Sequence, residues 1–199
     1  GYYIELFTPE GSTIEIPSDE HVIIRFKDDV PTAILAPHVF MMFFSVLIGM
    51  VSTEDADRIL ETLDSLRNQQ GSHSYEVIIG DRRNDEIGAR IDSDYPEVQR
   101  NTCPREMSLP ELRTLALDKA SGTYIIVTED HNVPSENWLA SMAQAFEESP
   151  EGTVAVGGCV ENGVYDTALD WATFFCEYSY FLESVDEGET TVLPGMNVA

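Results

Sequence analysis

From Phe43 onward the sequence alternates short apolar runs with segments whose apolar residues recur every three or four positions. Strands that are apolar on both faces, separated by amphipathic helices, belong to a parallel sheet covered by helices. Strands are predicted at 43–49, 75–80, 97–101 (the weakest), 123–128 and 153–160. Helices are predicted at 54–70, with Ile59, Leu60, Leu63 and Leu66 on one face, at 109–120 and at 135–148. Ser52 or Thr53 is the expected cap of the first helix and Gly71 its stop. Residues 1–38 follow another pattern: short β-branched runs punctuated by Pro9, Gly11, Pro17 and Pro31 read as a small antiparallel β appendage. The 199 residues suffice for one domain of about 150 residues plus such an appendage, so the expected division is 1–38 and 39–199.

Charge narrows the partners. Lys and Arg number 11 against 36 Asp and Glu, and the resulting net charge of −25 repels phosphate backbones and anionic lipid headgroups. Nucleic-acid binding and electrostatic membrane binding are therefore disfavoured. Only Lys27 and Lys119 are lysines, and lysine poverty with excess carboxylate suits either a protein that works in concentrated salt or a merely acidic mesophilic one. Cys103, Cys159 and Cys176 are odd in number and far apart, which argues against a disulfide framework or a zinc knuckle and for a reducing cytosol. The apolar stretch 39–51 is internal, interrupted by Ser45 and shorter than the about 20 residues a spanning helix needs, so no transmembrane segment is expected. The chain opens on Gly1 and closes on Ala199 within an apolar run, so both ends read as cut. A cytoplasmic location, peripheral to a membrane at most, is the expectation.

Right-handed crossovers gather the C-terminal ends of parallel strands on one edge of the sheet, where ligands of open α/β folds collect. After the first strand, Gly49-Met50-Val51-Ser52-Thr53-Glu54 contains neither a GxGxxG turn nor a GxxxxGK[ST] loop, which disfavours dinucleotide dehydrogenases and P-loop enzymes. After the second, Gly80-Asp81-Arg82-Arg83-Asn84-Asp85 is either a solvated turn or an acidic acceptor for a ribose or base. The fourth strand ends in Val127-Thr128-Glu129-Asp130-His131-Asn132, the strongest local signal. Two carboxylates and an imidazole at the mouth of a buried strand suit a cation such as Mg²⁺ or Mn²⁺, through which a chain without a basic cluster can hold a diphosphate. The competing reading is an acidic cap for the helix starting near Ser135. The segment 166–183 carries Trp171, Phe174, Phe175, Tyr178, Tyr180 and Phe181, either a platform on which a sugar stacks or the buried face of an amphipathic helix. Cys159 and Cys176 read as small buried apolar residues.

A series of stretches then follows in a set order: Ser45-Val46-Leu47-Ile48-Gly49 with Glu54, and Glu76-Val77-Ile78-Ile79-Gly80-Asp81. Next come Leu112-Arg113-Thr114-Leu115-Ala116 and Ala120-Ser121-Gly122-Thr123-Tyr124-Ile125. Glu129-Asp130-His131 is trailed by Val133-Pro134 and Trp138-Leu139, and Gly157-Gly158-Cys159-Val160 precedes Leu193-Pro194-Gly195-Met196-Asn197-Val198-Ala199. In this order and spacing residues 44–199 resemble the family 2 glycosyltransferases, inverting enzymes that use nucleotide-sugar donors. The resemblance implies a GT-A fold: Rossmann-like α/β, with a mostly parallel sheet flanked by helices.

The resemblance also implies site residues. Gly49, Met50 and Val51 stand at the nucleotide loop, although Gly49-Met50-Val51-Ser52 replaces the usual Pro-x-Tyr-Asn. Asp81 is implied to contact the uracil or ribose, with Arg82 where a second Asp is usual, and Arg113 to face the nucleotide. Glu129 is implied toward the ribose or metal and His131 stands where the main metal-binding Asp normally does, so Glu129, Asp130 and His131 are the implied set for Mn²⁺ or Mg²⁺, Asp130 also bordering the nucleotide. The implied partners are a nucleoside diphosphate sugar, UDP-linked foremost, and a carbohydrate or lipid-linked acceptor. The family's general base lies past the Gly-x-Asn-x-Ala segment, beyond Ala199. The altered first loop, Arg82 and His131 keep a non-catalytic nucleotide-sugar-binding module as the alternative. A nucleotidyltransferase would show a basic phosphate-binding loop near the start, which the sequence lacks.

Overall fold

The computed structural model describes residues 42–51, 57–71, 73–183 and 188–199, and the backbone of four strands before them. The chain divides into two compact units, Gly1–Met41 and Met42–Ala199. In the first, β1 (Leu6–Phe7) pairs antiparallel with β2 (Thr13–Ile14), and β3 (Val22–Lys27) with β4 (Val30–Leu35), Val22 opposite Leu35 and Lys27 opposite Val30.

The second unit is built on a parallel sheet of β5 (Phe43–Met50), β6 (Ser74–Asp81), β7 (Gln99–Thr102) and β8 (Tyr124–Glu129), in the order β7-β6-β5-β8. Its helices are α1 (Arg58–Arg67), α2 (Glu86–Asp94), α3 (Leu109–Leu117), α4 (Trp138–Glu148) and α5 (Ala168–Tyr178). Strand β5 is central, and its alternation sends Phe44, Val46, Ile48 and Met50 to one face, where Ile59, Leu63 and Leu66 of α1 and Leu139 and Met142 of α4 cover them. Leu47 points to the other face and packs with Ile78 and with Ala116 of α3. Each such aliphatic side chain contributes about 1.5–3 kcal/mol by leaving water. The double-sided burial explains why the first strands were legible as continuous apolar runs.

The helices start where local chemistry allows. Ser108 opens α3 with a capping box closed by Glu111, and Asp85 caps α2 by accepting the Ile87 N–H at 3.1 Å. Helix α1 spans its apolar pattern but is shorter than the predicted 54–70; Asp57 precedes it without a side-chain capping bond, and the expected caps Ser52 and Thr53 lie outside the described residues. The strand expected at 153–160 does not form. Instead Val198 bridges antiparallel to both Val127 and Gly157, so residues 196–199 lie between β8 and the 156–158 stretch. The backbone groups of Val156 are satisfied by Ala199 in both directions, at 3.0 and 2.9 Å, which leaves that stretch no role as a regular parallel strand. The buried helix face expected in 166–183 is also corrected: on α5 only Phe174 is buried. Cys159 and Cys176 are exposed, Cys176 on the outer side of α5, and of the cysteines only Cys103 is buried. No helix among the described residues is long and apolar enough to cross a membrane.

Candidate functional site

Register brings the C-terminal strand ends level. Gly49 pairs with Gly80 on one side and Glu129 on the other, and Met50 pairs with Asp81. Two of these positions admit helix α3. A Cβ on Gly80 would lie 2.9 Å from the Leu112 carbonyl oxygen, and one on Gly49 would overlap Leu109 Cδ1. Without side chains there, α3 settles directly on the strand ends.

The residue after Leu112 is Arg113, and its Nη2 lies 3.5 Å from Glu129 Oε1. The Nε and Nη2 atoms of Arg113 are buried and have no hydrogen-bond partner among the described residues. Leaving such donors unpaired costs about 1–3 kcal/mol, so an acceptor oxygen arriving from a ligand would be stabilised here. Glu129 is part-exposed and also faces His131, whose Nε2 lies 3.4 Å from Glu129 Oε2. On its other side His131 Nδ1 lies 3.2 Å from Asp130 Oδ1. The hydrogen bond to Asp130, reinforced by the charges of Glu129 and Asp130, holds the His131 pKa above its ordinary 6.5.

Asp130 is itself buried, and its Oδ2 accepts the Val51 N–H at 2.8 Å, clasping the end of β8 to the end of β5. Among the described residues no group of three His, Cys, Asp or Glu side chains is arranged to hold a metal ion. Glu129 and His131 nevertheless fit a divalent cation as a pair. Their 3.4 Å separation is within the span of two ligands at about 2.1 Å from one ion, and both are partly open to solvent.

Asp81 is fully buried. Its Oδ1 accepts the N–H groups of Arg83 at 2.8 Å and Asn84 at 3.3 Å, while its Oδ2 accepts from Arg100 Nη1 at 2.8 Å. It thereby fixes the turn after β6, in which Asn84 adopts a left-handed backbone (φ 52°) and donates to the Cys103 carbonyl at 2.9 Å. Arg82 turns away to the Met107 carbonyl. Gly49 and Met50 are buried and Val51 is half-buried. The structure thus brings Val51, Arg113, Glu129, Asp130 and His131 together and holds Asp81 beneath the adjoining turn.

The residue that sequence reasoning passed over is Arg100, which neutralises Asp81; Tyr178, one of the aromatics singled out in 166–183, lies at the end of α5. Burial pushes the Tyr178 hydroxyl up to about 12, and the charge of Glu129 adds to the shift. Asn197, within the Gly-x-Asn-x-Ala segment, is structural: its Oδ1 accepts from the Trp138 indole at 2.7 Å and its Nδ2 donates to the Cys159 carbonyl at 2.9 Å.

A parallel sheet with its charged cluster at the C-terminal strand ends is the arrangement of nucleotide-binding α/β folds. Residues 45–190 match the family model described as glycosyl transferase family 2, and the chain belongs to that family. Its fold is that of Staphylococcus aureus TarS 1-349, with 20% identity and a TM-score of 0.53 over 63% of this chain and 38% of that one. It is likewise similar to the mannosyltransferase PcManGT from Pyrobaculum calidifontis, solved in complex with GDP-Man and Mn²⁺, with 20% identity and a TM-score of 0.50 over 62% of this chain and 36% of that one. TarS 1-349 in complex with UDP aligns at a TM-score of 0.50, again with 20% identity, over 63% of this chain and 38% of its own. The chain therefore spans well under half the length of these relatives. No curated protein matches the sequence.

Proposed function

We propose that the protein moves a sugar from a nucleoside diphosphate donor, a UDP-sugar foremost, to an acceptor hydroxyl with inversion at the anomeric carbon. The observation that carries this reading is Arg113, which faces Glu129 and whose buried Nε and Nη2 have no hydrogen-bond partner among the described residues. In this reading Arg113 takes an oxygen of the nucleotide, the Gly49–Val51 backbone borders the nucleoside, and Asp81 acts through the turn it fixes. Family membership and the nucleotide named with two of the solved relatives support it. Glu129 and His131 are the residues that would hold Mn²⁺ or Mg²⁺. Bound there, the ion would offset negative charge building on the departing diphosphate. Asp130 positions this pair by anchoring Val51 and orienting the imidazole. Orientation of the donor against the acceptor oxygen then supplies much of the rate, since holding two reactants in place is worth several kcal/mol, on the order of 7–11 in the best cases.

Calorimetric titration with UDP and GDP, with and without Mn²⁺, tests the proposal. Mn²⁺-dependent binding that weakens roughly tenfold or more in Arg113→Ala is expected. No binding of either nucleotide in the presence of Mn²⁺ would reject it. Binding without any turnover of sugar donors, together with acceptors, would instead favour a nucleotide-sugar-binding module.

A further inference from the structure

The turn that follows β8 carries Glu129, Asp130 and His131, and it is held from two sides. Asp130 ties it to the end of β5 through the Val51 N–H. Asn132 ties it the other way. Its backbone N–H donates to the Glu129 carbonyl at 3.4 Å, closing the turn, and its Nδ2 donates to Thr128 Oγ1 and to the Met196 carbonyl, each at 3.3 Å. A main-chain carbonyl only accepts, so the amide nitrogen is the atom that must face Met196. Asparagine is also the shortest side chain that offers two hydrogens from one atom, which is what two oxygens on either side of it require.

Met196 is buried and belongs to a stretch that the fold grips at several points. The Val127 N–H donates to the Val198 carbonyl at 2.9 Å, and Val156 and Ala199 exchange backbone hydrogen bonds at 3.0 and 2.9 Å. Asn197 accepts from the Trp138 indole of α4 and donates to the Cys159 carbonyl. Gly157 and Gly158 make room for it: a Cβ on the first would lie 3.0 Å from the Asn197 carbonyl oxygen, and one on the second 2.9 Å from its Nδ2. Residues 196–199 are thus docked against β8 and α4, and through Asn132 they bear on the turn that presents Glu129 and His131. We propose that Asn132 is a positioning residue of the donor site, which makes the placement of Glu129 and His131 depend on the docking of residues 196–199. Coupling of this kind is reciprocal: nucleotide held at the strand ends tightens the docked stretch by the same factor by which docking strengthens nucleotide binding. The assignment rests on the nucleotide-binding part of the transferase reading above.

Amide hydrogen exchange on the unaltered chain, with and without UDP and Mn²⁺, reads the coupling from one side. Saturating UDP with Mn²⁺ is expected to slow exchange of the Val127, Val156 and Ala199 amides roughly fivefold or more. Calorimetry reads it from the other. Asn132→Ala, and the similarly sized Asn132→Leu, which fills the space without a donor, are each expected to weaken Mn²⁺-dependent UDP binding by roughly fivefold or more and to abolish the slowing at saturating nucleotide. A merely structural Asn132 would lower the melting midpoint and leave UDP affinity and the slowing as they are in the unaltered chain. That result would overturn the assignment, and so would UDP binding without slowed exchange in the unaltered chain, an outcome that needs no variant to fold. An unaltered chain that binds no nucleotide in the presence of Mn²⁺ would strike the transferase reading itself, and this assignment with it.

Discussion

Asp130 and His131 are adjacent in sequence and do different work. Asp130 is spent on the Val51 N–H, so Asp130→Ala orphans a backbone donor at a cost of about 1–3 kcal/mol and should lower the melting midpoint by several degrees. His131 is nearly half-exposed and its partners among the described residues are carboxylates, so His131→Ala should change the midpoint far less than Asp130→Ala while removing the Mn²⁺ dependence of UDP binding. Equal midpoints for the two variants in differential scanning calorimetry would contradict this division. Glu76 carries a pH effect. Burial pushes its carboxyl up, but hydrogen bonds from Ser45, Ser121 and Gly122 outweigh that and leave its pKa below the ordinary 4.5. A depressed folded-state pKa stabilises fully above the unfolded value and is lost as pH falls through the folded one. Wild-type stability should therefore drop on acidification below about pH 4.5 more steeply than that of Glu76→Gln, as urea titrations at stepped pH would show. At this scale the sequence discloses residue types and no partners. The polar run Glu129-Asp130-His131 was visible, but that Val51 would claim one carboxylate depends on a contact 79 positions away.

Helix α3 is the element that makes the site, and its seat is two glycines wide. Gly80→Ala brings a methyl group within 2.9 Å of the Leu112 carbonyl, a backbone atom that moves only with its helix. The substitution should cost about 1–3 kcal/mol and, by lifting Arg113 from Glu129, weaken nucleotide binding as well. Calorimetry showing a lowered midpoint with undiminished UDP affinity would separate α3 from the site. The strands β5, β6 and β8 were legible because both their faces are apolar, whereas α2 was not: it buries only Ile87, Gly88 and Ile91, too few for a helical period to stand out from a polar loop. The 153–160 run failed as a strand for a related reason. Propensity registers β-branched residues such as Val154 and Val156, but it does not register that residues 196–199 take up the pairing.

For the molecule as a whole, a charge of −25 stores self-repulsion that dissolved salt screens. The melting midpoint is expected to rise between low and molar KCl, and a flat series would show that burial of the two-sided core dominates at every salt concentration. The GT-A architecture was legible from the alternation of elements and the order of motifs, because both are properties of sequence. Less legible was the closure of the sheet, which joins distant parts of the chain. With Val198 seated against Val127, β8 is not a bare border. Translation must therefore carry the ribosome some seventy codons past this strand before its outer hydrogen bonds find partners, and until then an unpaired template for aggregation stands open. Residues 196–199 are thus a late-arriving latch, and any nascent chain halted short of them should be among the first this protein surrenders to chaperones.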